Sequence, residues 1–165
     1  MAHKLLSSVR IAEPQFLGLQ IDLLNRCTGR CAYCGHPTWP SAQLDYDLVK
    51  NILWVAQKHG FMSVSLSGGS PQLHPEFWDV IDYAKHVGLA VNVFTDGLGW
   101  PGWPGAGNAR PDRIHFSVDT LDEAQHQEMR GNKGLAQVLD NVEEALARNI
   151  PCRLMSTVVP GHMDD

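Results

Sequence analysis

Short hydrophobic runs alternate with amphipathic stretches along most of this chain. The runs have the length and composition of buried strands, and they fall at residues 16–22, 62–66, 89–94, 113–119 and 152–159. The stretches between them repeat apolar residues every three or four positions, which predicts helices near 45–60, 75–88, 121–129 and 134–148. Strands that alternate with helices in this way favour an α/β fold with a parallel sheet of about five strands.

Apolar stripes on the helices predict which faces are buried. Asp45 is the expected N-cap of the first helix, with Leu44 and Val49 packing across it and Gly60 ending the helix. The stripe predicted for that helix is Leu48, Ile52, Val55 and Ala56. The corresponding stripe of the helix that begins near Pro75 is Phe77, Val80, Ile81 and Ala84. For the last helix it is Leu135, Val138, Leu139, Val142 and Leu146.

Four loops that carry polar or glycine-rich sequences follow predicted strands directly. They are residues 26–34, 67–71, 95–97 and 117–119. Right-handed crossovers bring the carboxyl ends of parallel strands to one rim of the sheet, where such folds bind ligands. We therefore expect these four loops to form one site.

The first of these loops contains three cysteines at C-x3-C-x2-C spacing, Cys27, Cys31 and Cys34. Three thiolates within eight residues can converge on one soft metal centre, and an iron–sulfur cube accepts three protein ligands while leaving one iron open. They cannot complete a four-thiolate zinc site, because Cys152 is far away in sequence. A zinc knuckle completed by His36, or a set of buried thiols, remains an alternative.

Composition narrows the function classes. The chain has 165 residues, of which 44% are hydrophobic and 19% charged, which suits one globular domain over 1–165 with residues 1–15 as a lead-in. A net charge of −5 without a Lys/Arg run argues against nucleic-acid binding through a broad basic face. No stretch has the pattern of a signal peptide or the length of a membrane span. Clustered cysteines favour a reducing, cytoplasmic setting.

The cysteine motif, with Tyr33 just before its third cysteine, resembles the signature of the radical S-adenosylmethionine (radical SAM) superfamily. Further resemblances follow in order. They are 67–71 (Ser-Gly-Gly-Ser-Pro), 95–97 (Thr-Asp-Gly, which resembles the family's Thr-Asn-Gly), 117–120 (Ser-Val-Asp-Thr) and 130–131 (Arg-Gly). They are closest to the branch of the molybdenum-cofactor cyclase and the peptide-modifying maturases. The resemblance implies an incomplete β/α barrel of TIM type, whose C-terminal part is missing.

Cofactors and partners are implied by the same resemblance. Cys27, Cys31 and Cys34 would hold a [4Fe-4S] cluster whose open iron binds S-adenosylmethionine. Reductive cleavage would give a 5′-deoxyadenosyl radical that abstracts hydrogen from a small-molecule or peptide substrate. The electron would come from a donor such as flavodoxin or ferredoxin. The resemblance assigns no further catalytic residue and does not identify the substrate.

Eight residues are implied to contact the cofactor: Tyr33, Gly68, Gly69, Ser70, Thr95, Ser117, Asp119 and Arg130. The glycines would let the backbone approach the methionine moiety. Tyr33 either packs on the cluster or is a core aromatic. Asp119 either contacts the cofactor or caps the next helix, and Arg130 either pairs with the cofactor carboxylate or is solvated.

Departures from the family pattern leave alternatives open. Ser70 stands where the family has a glutamate that binds the cofactor's amino group, so another acid would have to substitute, or Ser70→Glu would tighten binding. The Gly/Pro/Trp-rich loop 98–108 replaces a helix, so Trp100 and Trp103 would line a substrate mouth or cover the core. The alternatives are an accessory domain that binds a cluster or S-adenosylmethionine without radical chemistry, and a zinc-binding structural protein. Surface or capping roles are expected for His36, His74, His115 and His126.

Overall fold

A computed structural model of the chain describes residues 17–35, 40–105 and 110–159. One parallel sheet has its five strands in sequential order, β1-β2-β3-β4-β5. The strands are β1 (Gly18–Leu24), β2 (Ser63–Gly68), β3 (Ala90–Thr95), β4 (Arg113–Ser117) and β5 (Cys152–Met155). The helices are α1 (Tyr46–Lys58), α2 (Phe77–His86), α3 (Glu123–Arg130) and α4 (Leu135–Ala147), with a 3-10 turn at Pro71–Leu73. This confirms the predicted α/β fold with about five parallel strands.

Two predicted strands are longer than the observed ones. β4 ends at Ser117 and β5 at Met155, rather than at 119 and 159. The reason is a side chain that competes with the sheet, because the backbone N–H of Thr157 donates to Asp119 Oδ1 at 2.8 Å instead of continuing the ladder. Residues 118–119 and 156–159, which were predicted to be strand, therefore belong to loops at the carboxyl rim of the sheet.

The buried faces of two helices differ from the predicted stripes. α1 is capped by Asp45 as predicted, but it buries Val49, Leu53 and Ala56, whereas Leu48 and Val55 are exposed. In α4 the prediction of Leu146 is likewise wrong, since it is half exposed and Ala145 is buried instead. Both helices have two adjacent apolar stripes, and only packing against the sheet selects one of them. The α2 stripe is confirmed in full.

The two faces of the sheet differ in chemistry. Sequential strand order with right-handed crossovers places the helices on one face, where side chains of the strands are buried in the core, among them Val64, Leu66, Val93 and Ile114. The other face, which we call the open face, presents Gln20, Asp22, Ser65, Ser67, Asn92, Phe94, Arg113, His115, Ser117, Arg153 and Met155. The core therefore lies between the sheet and the helices, and the open face is largely polar.

The described part of the Gly/Pro/Trp loop, 98–105, contains no helix, as predicted. Trp100 packs edge-on against Phe77 and Trp78 of α2, and Trp103 lies 5.0 Å from Trp100 between ring centroids. Of the two roles predicted for these tryptophans, the structure shows covering of the core. Among the described residues, no helix is both long and apolar enough to cross a bilayer.

Candidate functional site

The three cysteines of the first loop line one cavity of about 210 Å³ at the carboxyl rim of the sheet. The loops after β2, β3 and β4 reach the same cavity, through Gly68, Asp96 and Ser117 among others. The predicted convergence of the strand-end loops on one site is therefore observed.

Backbone hydrogen bonds hold the cysteine loop between two neighbours. On one side, the N–H groups of Arg30 and Ala32 donate to the last carbonyls of α3, on Arg130 and Met129, at 2.9 and 3.0 Å. Those carbonyls lack intrahelical partners, so the loop completes the end of the helix. On the other side, the loop accepts hydrogen bonds from the residues that follow β2.

Gly68 and Gly69 line the cavity as predicted, but a different contact requires them to be glycine. A Cβ atom at either position would collide with backbone oxygens of the entering loop, on Leu24 and Arg26 respectively. The N–H of Gly69 donates to Leu24 O at 2.8 Å, which fixes this close approach. The side that lacks a side chain therefore faces the cysteine loop, and the predicted approach to a methionine moiety is not what excludes a Cβ here.

Ser70 lies behind the cavity wall. It is fully buried and is not among the residues that line the cavity. Its hydroxyl donates to Asp96 Oδ2 at 2.8 Å and accepts from the backbone N–H of Thr28 at 3.2 Å, and it lies 3.3 Å from Cys27 Sγ. The serine thus links the cysteine loop to the carboxylate that follows β3.

Asp96 is the residue of this site that the sequence interpretation did not select. It lines the cavity, and its Oδ1 accepts from Gln72 Nε2 at 2.8 Å and from the Leu98 N–H at 3.2 Å. Its Oδ2 accepts from the hydroxyls of Ser70 and Thr28. The Cys27 thiol is a fifth donor, with its Sγ 3.8 Å from Oδ2. All five donors are neutral, and no ion pair involves Asp96 within the described ranges. The available signal was an acid at position 96, where the family has asparagine, in a chain that lacks the glutamate at 70.

Thr95 is buried directly before this acid. Its hydroxyl donates to Gln72 Oε1 at 2.8 Å and accepts from the Gly97 N–H, while Gln72 holds Asp96. Thr95 also lines the cavity, as predicted, but its side chain serves the turn that orients the carboxylate.

The opposite wall of the cavity is built by Arg130 and Asp119. The guanidinium forms a two-point ion pair, with Nε–Oδ2 at 2.6 Å and Nη2–Oδ1 at 3.1 Å, and the side chains are 8% and 0% exposed. Arg130 Nη1 also lies 3.9 Å from Cys31 Sγ. The prediction of a solvated arginine is wrong. The alternative of Asp119 as a helix cap is also wrong, because Asp122 caps α3 by accepting from the Gln125 N–H.

Tyr33 completes this wall. Its hydroxyl donates to Asp119 Oδ2 at 2.6 Å, and Arg130 Cζ lies 5.9 Å from the centre of its ring. Tyr33 is 38% exposed and lines the cavity, so the core-aromatic alternative is wrong. Burial alone would raise the pKa of Asp119, but hydrogen bonds from Arg130, the Thr157 N–H and Tyr33 outweigh it and lower that pKa.

Burial raises the pKa of the Cys27 and Cys31 thiols, opposed by the hydrogen bond of Ser70 with Cys27 and by the charge of Arg130 near Cys31. Within the described part of the chain, no three His, Cys, Asp or Glu residues are arranged to hold a single metal ion. His36, the proposed fourth zinc ligand, lies outside that part. A cube of four irons takes each thiolate on a different iron, which is a different arrangement from a single-ion site.

The remaining cysteine and the histidines lie elsewhere. Cys152 begins β5 and packs against the core, as predicted. His74, His115 and His126 are buried, so a surface position is wrong for these three. The capping alternative holds for His74, which is the C-cap of the 3-10 turn and whose Nδ1 accepts from the Glu76 N–H at 3.3 Å. His74 bridges to Leu44 O, and His126 Nε2 lies 3.2 Å from Asn132 Oδ1 at the edge of the cavity.

A sequence profile described as the Radical SAM superfamily matches residues 21–165. The chain belongs to this superfamily. This confirms the resemblance carried by the cysteine motif, and it confirms that the chain comes from a group of enzymes whose cofactors are a [4Fe-4S] cluster and S-adenosylmethionine.

Curated relatives fall in the branch that the sequence indicated. The PqqA peptide cyclase of Streptomyces rochei is 27% identical over 152 residues, which is 89% of this chain and 42% of the relative. The probable GTP 3′,8-cyclase of Thermococcus kodakarensis is 26% identical over 154 residues, covering 88% of this chain and 49% of the relative. The chain thus spans less than half the length of either relative.

The fold is similar to that of Streptococcus suis SuiB. Structures of SuiB bound to S-adenosylmethionine and to the precursor peptide SuiA align with TM-scores of 0.72 and 0.71 at 17% identity. The alignments cover 86% of this chain and 34% and 33% of the SuiB chains. The present chain therefore has the fold of one part of such an enzyme.

Proposed function

We propose that this chain forms the cluster- and S-adenosylmethionine-binding part of a radical SAM enzyme. The observation that carries the proposal is the shared cavity, where three cysteines meet a carboxylate on one wall and a guanidinium on the other. A ligand that bears both an ammonium and a carboxylate group, as the methionine moiety of the cofactor does, matches these two charges.

Cys27, Cys31 and Cys34 are the proposed ligands of the cluster. When bound, the cluster supplies one-electron reduction of S-adenosylmethionine, which yields the 5′-deoxyadenosyl radical that takes hydrogen from the substrate. The chain's own residues would hold the cluster and orient S-adenosylmethionine. Arg130 places its positive charge beside Cys31 and stabilises the thiolate, and Asp119 fixes the guanidinium in position.

Asp96 is the proposed receptor for the cofactor's ammonium group. Its carboxylate is oriented by five neutral donors, one of them the Cys27 thiol, and lacks a cationic partner among the described residues, so its negative charge is available to a ligand in the cavity. Charge-assisted hydrogen bonds of this kind are roughly twice as strong as neutral ones. Gly68, Ser117 and Tyr33 would line the rest of the cofactor site.

A peptide is the proposed substrate class. Relatives act on the peptide PqqA, by name, and SuiB has been solved with the peptide SuiA, whereas another relative is named for GTP. The one-electron donor, for which flavodoxin or ferredoxin is expected, and a cytoplasmic location remain predictions. An accessory domain that binds the cofactor without cleaving it is the second candidate, because residue 70 is serine.

Anaerobic reconstitution with iron and sulfide tests the proposal. We expect about four irons and four sulfides per chain and absorbance near 400 nm. Replacing Cys27, Cys31 or Cys34 by Ala should abolish both, while Cys152→Ala, the matched control on β5, should retain them.

The same samples separate the candidates. Formation of 5′-deoxyadenosine on reduction supports the enzyme, whereas binding of S-adenosylmethionine without any cleavage supports the accessory domain. One zinc per chain and no bound iron would contradict both and favour the structural zinc site.

A further inference from the structure

The open face of the sheet adjoins the cluster cavity at the carboxyl ends of the strands. Most of its side chains are polar. In-register pairing defines one row across four strands, Gln20, Ser65, Asn92 and Arg113. The next row toward the cavity contains Phe94, His115 and Arg153. Phe94 itself lines the cluster cavity, so this row joins the cavity directly.

His115 lies on β4, between Phe94 and Arg153 in this row. Its ring stacks on Phe94 with centroids 4.2 Å apart and planes 3° from parallel. The residue is only 7% exposed, and its Nδ1 atom has no hydrogen-bond partner within the described residues. Buried polar atoms are normally paired, so this ring nitrogen is a hydrogen-bonding position that the described residues leave unfilled, as they do Nδ1 of His126 and Nε1 of Trp100 and Trp103.

Positive charge surrounds that histidine. Arg113 precedes it by two positions on β4, and Arg153 is its partner on β5. The pKa of His115 is lowered by burial and by these two cations, so both guanidinium groups act on the ring. Neither arginine takes part in an ion pair among the residues described. The acidic residue of the open face, Asp22, stands on β1 at the far side of the sheet.

We propose that the open face binds a carboxylate-bearing peptide, with Arg113 and Arg153 holding the acidic group above the Phe94–His115 pair. This rests on the proposed function, since it names the substrate that would lie beneath the cluster cavity. The first row adds uncharged donors and acceptors, and it crosses three interstrand spacings, about 14 Å at ~4.8 Å each. An extended peptide covers that length with about four residues at ~3.3 Å each.

A phosphate ligand is less well matched to this surface. Many phosphate sites use glycine-rich loops and helix N-termini, whose N–H groups converge on the anion. The open face consists of strand side chains, and its two arginines come from adjacent strands. A planar guanidinium pairs with a carboxylate and with a phosphate alike, but the amides of Gln20 and Asn92 can pair with peptide groups, and this favours the peptide.

The test uses the chain without iron, because the open face is made by protein alone. Isothermal titration would compare the peptide acetyl-Ala-Glu-Ala-Glu-Ala-amide with its Gln counterpart. We expect the acidic peptide to bind about tenfold more tightly. Arg113→Gln and Arg153→Gln should each remove most of that preference, while Arg148→Gln, the control on the surface of α4, should keep it.

The His115 ring gives a second readout. Bound carboxylate stabilises the imidazolium, so the NMR-titrated pKa of His115 should rise when the acidic peptide is present and not with the Gln peptide. Equal affinity for the two peptides, or unchanged preference in both arginine variants, would overturn the proposal. If GTP displaced the acidic peptide at a concentration below that of the peptide, the face would favour a nucleotide, and this too would overturn the proposal. Iron loading, measured separately, reports on the proposed function alone.

Discussion

The two walls of the cluster cavity each contain one aspartate, but they satisfy its charge in different ways. Asp119 is neutralised by the two-point ion pair with Arg130 and is wholly buried behind it. Asp96 accepts hydrogen bonds from neutral groups only, and it lines the cavity. The first wall therefore presents a guanidinium that is held by an acid, and the second presents a carboxylate whose charge is uncompensated.

This difference changes which acid is assigned to the cofactor. Asp119 was the acid expected from the family resemblance, yet the structure gives it a supporting position beneath Arg130 and Tyr33. The carboxylate that faces the cavity follows β3 instead, linked to Ser70 at the position where the family has glutamate. We infer that a change at position 70 and a change at 96 compensate for each other.

Removing the ion pair between Arg130 and Asp119 should have the largest effect on the stability of the fold. Arg130→Met leaves Asp119 buried and unpaired, which we expect to destabilise the fold by about 3–5 kcal/mol. Urea unfolding monitored by circular dichroism would measure it. In the control, Arg148→Met removes a half-exposed pair with Glu144 and should cost below about 1 kcal/mol. A loss at Arg130 no larger than the control's would contradict the buried pairing.

Placing a second acid in the other wall tests the compensation. Ser70→Glu sets a new carboxylate beside Asp96, and since two such close acids cannot both ionise freely, we expect a loss of roughly 2 kcal/mol in unfolding free energy and weaker cofactor binding. This reverses the expectation from the resemblance alone. The double variant Ser70→Glu/Asp96→Asn restores the family pair and should recover both quantities. Tighter binding by Ser70→Glu alone would show that the two positions are independent.

Removing the charge of Asp96 while keeping its shape isolates its role toward the cofactor. Asp96→Asn should weaken S-adenosylmethionine binding to the iron-loaded protein about tenfold, the value of one charge-assisted hydrogen bond. Titration calorimetry would be compared with Asp47→Asn, an exposed acid on α1. Unchanged affinity with full iron content would mean that another group binds the ammonium.

The pH dependence of stability tests the ion pairing of Asp119 in a second way, and its expected effect is the smallest of the four. The folded pKa of Asp119 is lowered below the usual value of 3.8, so its contribution is present above that pH and is lost as the pH falls through the folded pKa. Asp119→Asn should flatten the acid limb of the stability curve below about pH 4. An acid limb of unchanged slope would argue against a lowered pKa at this position.

Much of the fold could be predicted because its signals are local. Strand-length apolar runs, the Asp45 cap and the α2 stripe each depend on neighbouring residues, and all are observed. The burial of α1 could not be predicted, since Leu48 and Val49 begin two equally apolar stripes. Only the position of the sheet decides between them.

The candidate site, like the fold, has parts that local sequence could predict and parts that it could not. Three cysteines within one loop are recognisable from their spacing, and the structure places all three on one cavity. The roles of Ser70, Asp96 and Arg130 depend on partners in other loops, such as the hydrogen bond between residues 70 and 96 and the ion pair between 119 and 130. Motif matching assigned residue 119 to the cofactor because it cannot show which side chains already have a partner.

Electron paramagnetic resonance of the reconstituted, dithionite-reduced protein tests the central claim most directly. The account requires a cluster held by Cys27, Cys31 and Cys34 with one iron open to S-adenosylmethionine. It predicts a reduced-cluster spectrum that changes when S-adenosylmethionine is added, with the change requiring a higher concentration in Asp96→Asn. A protein with four irons per chain whose spectrum stays the same at saturating S-adenosylmethionine would contradict it.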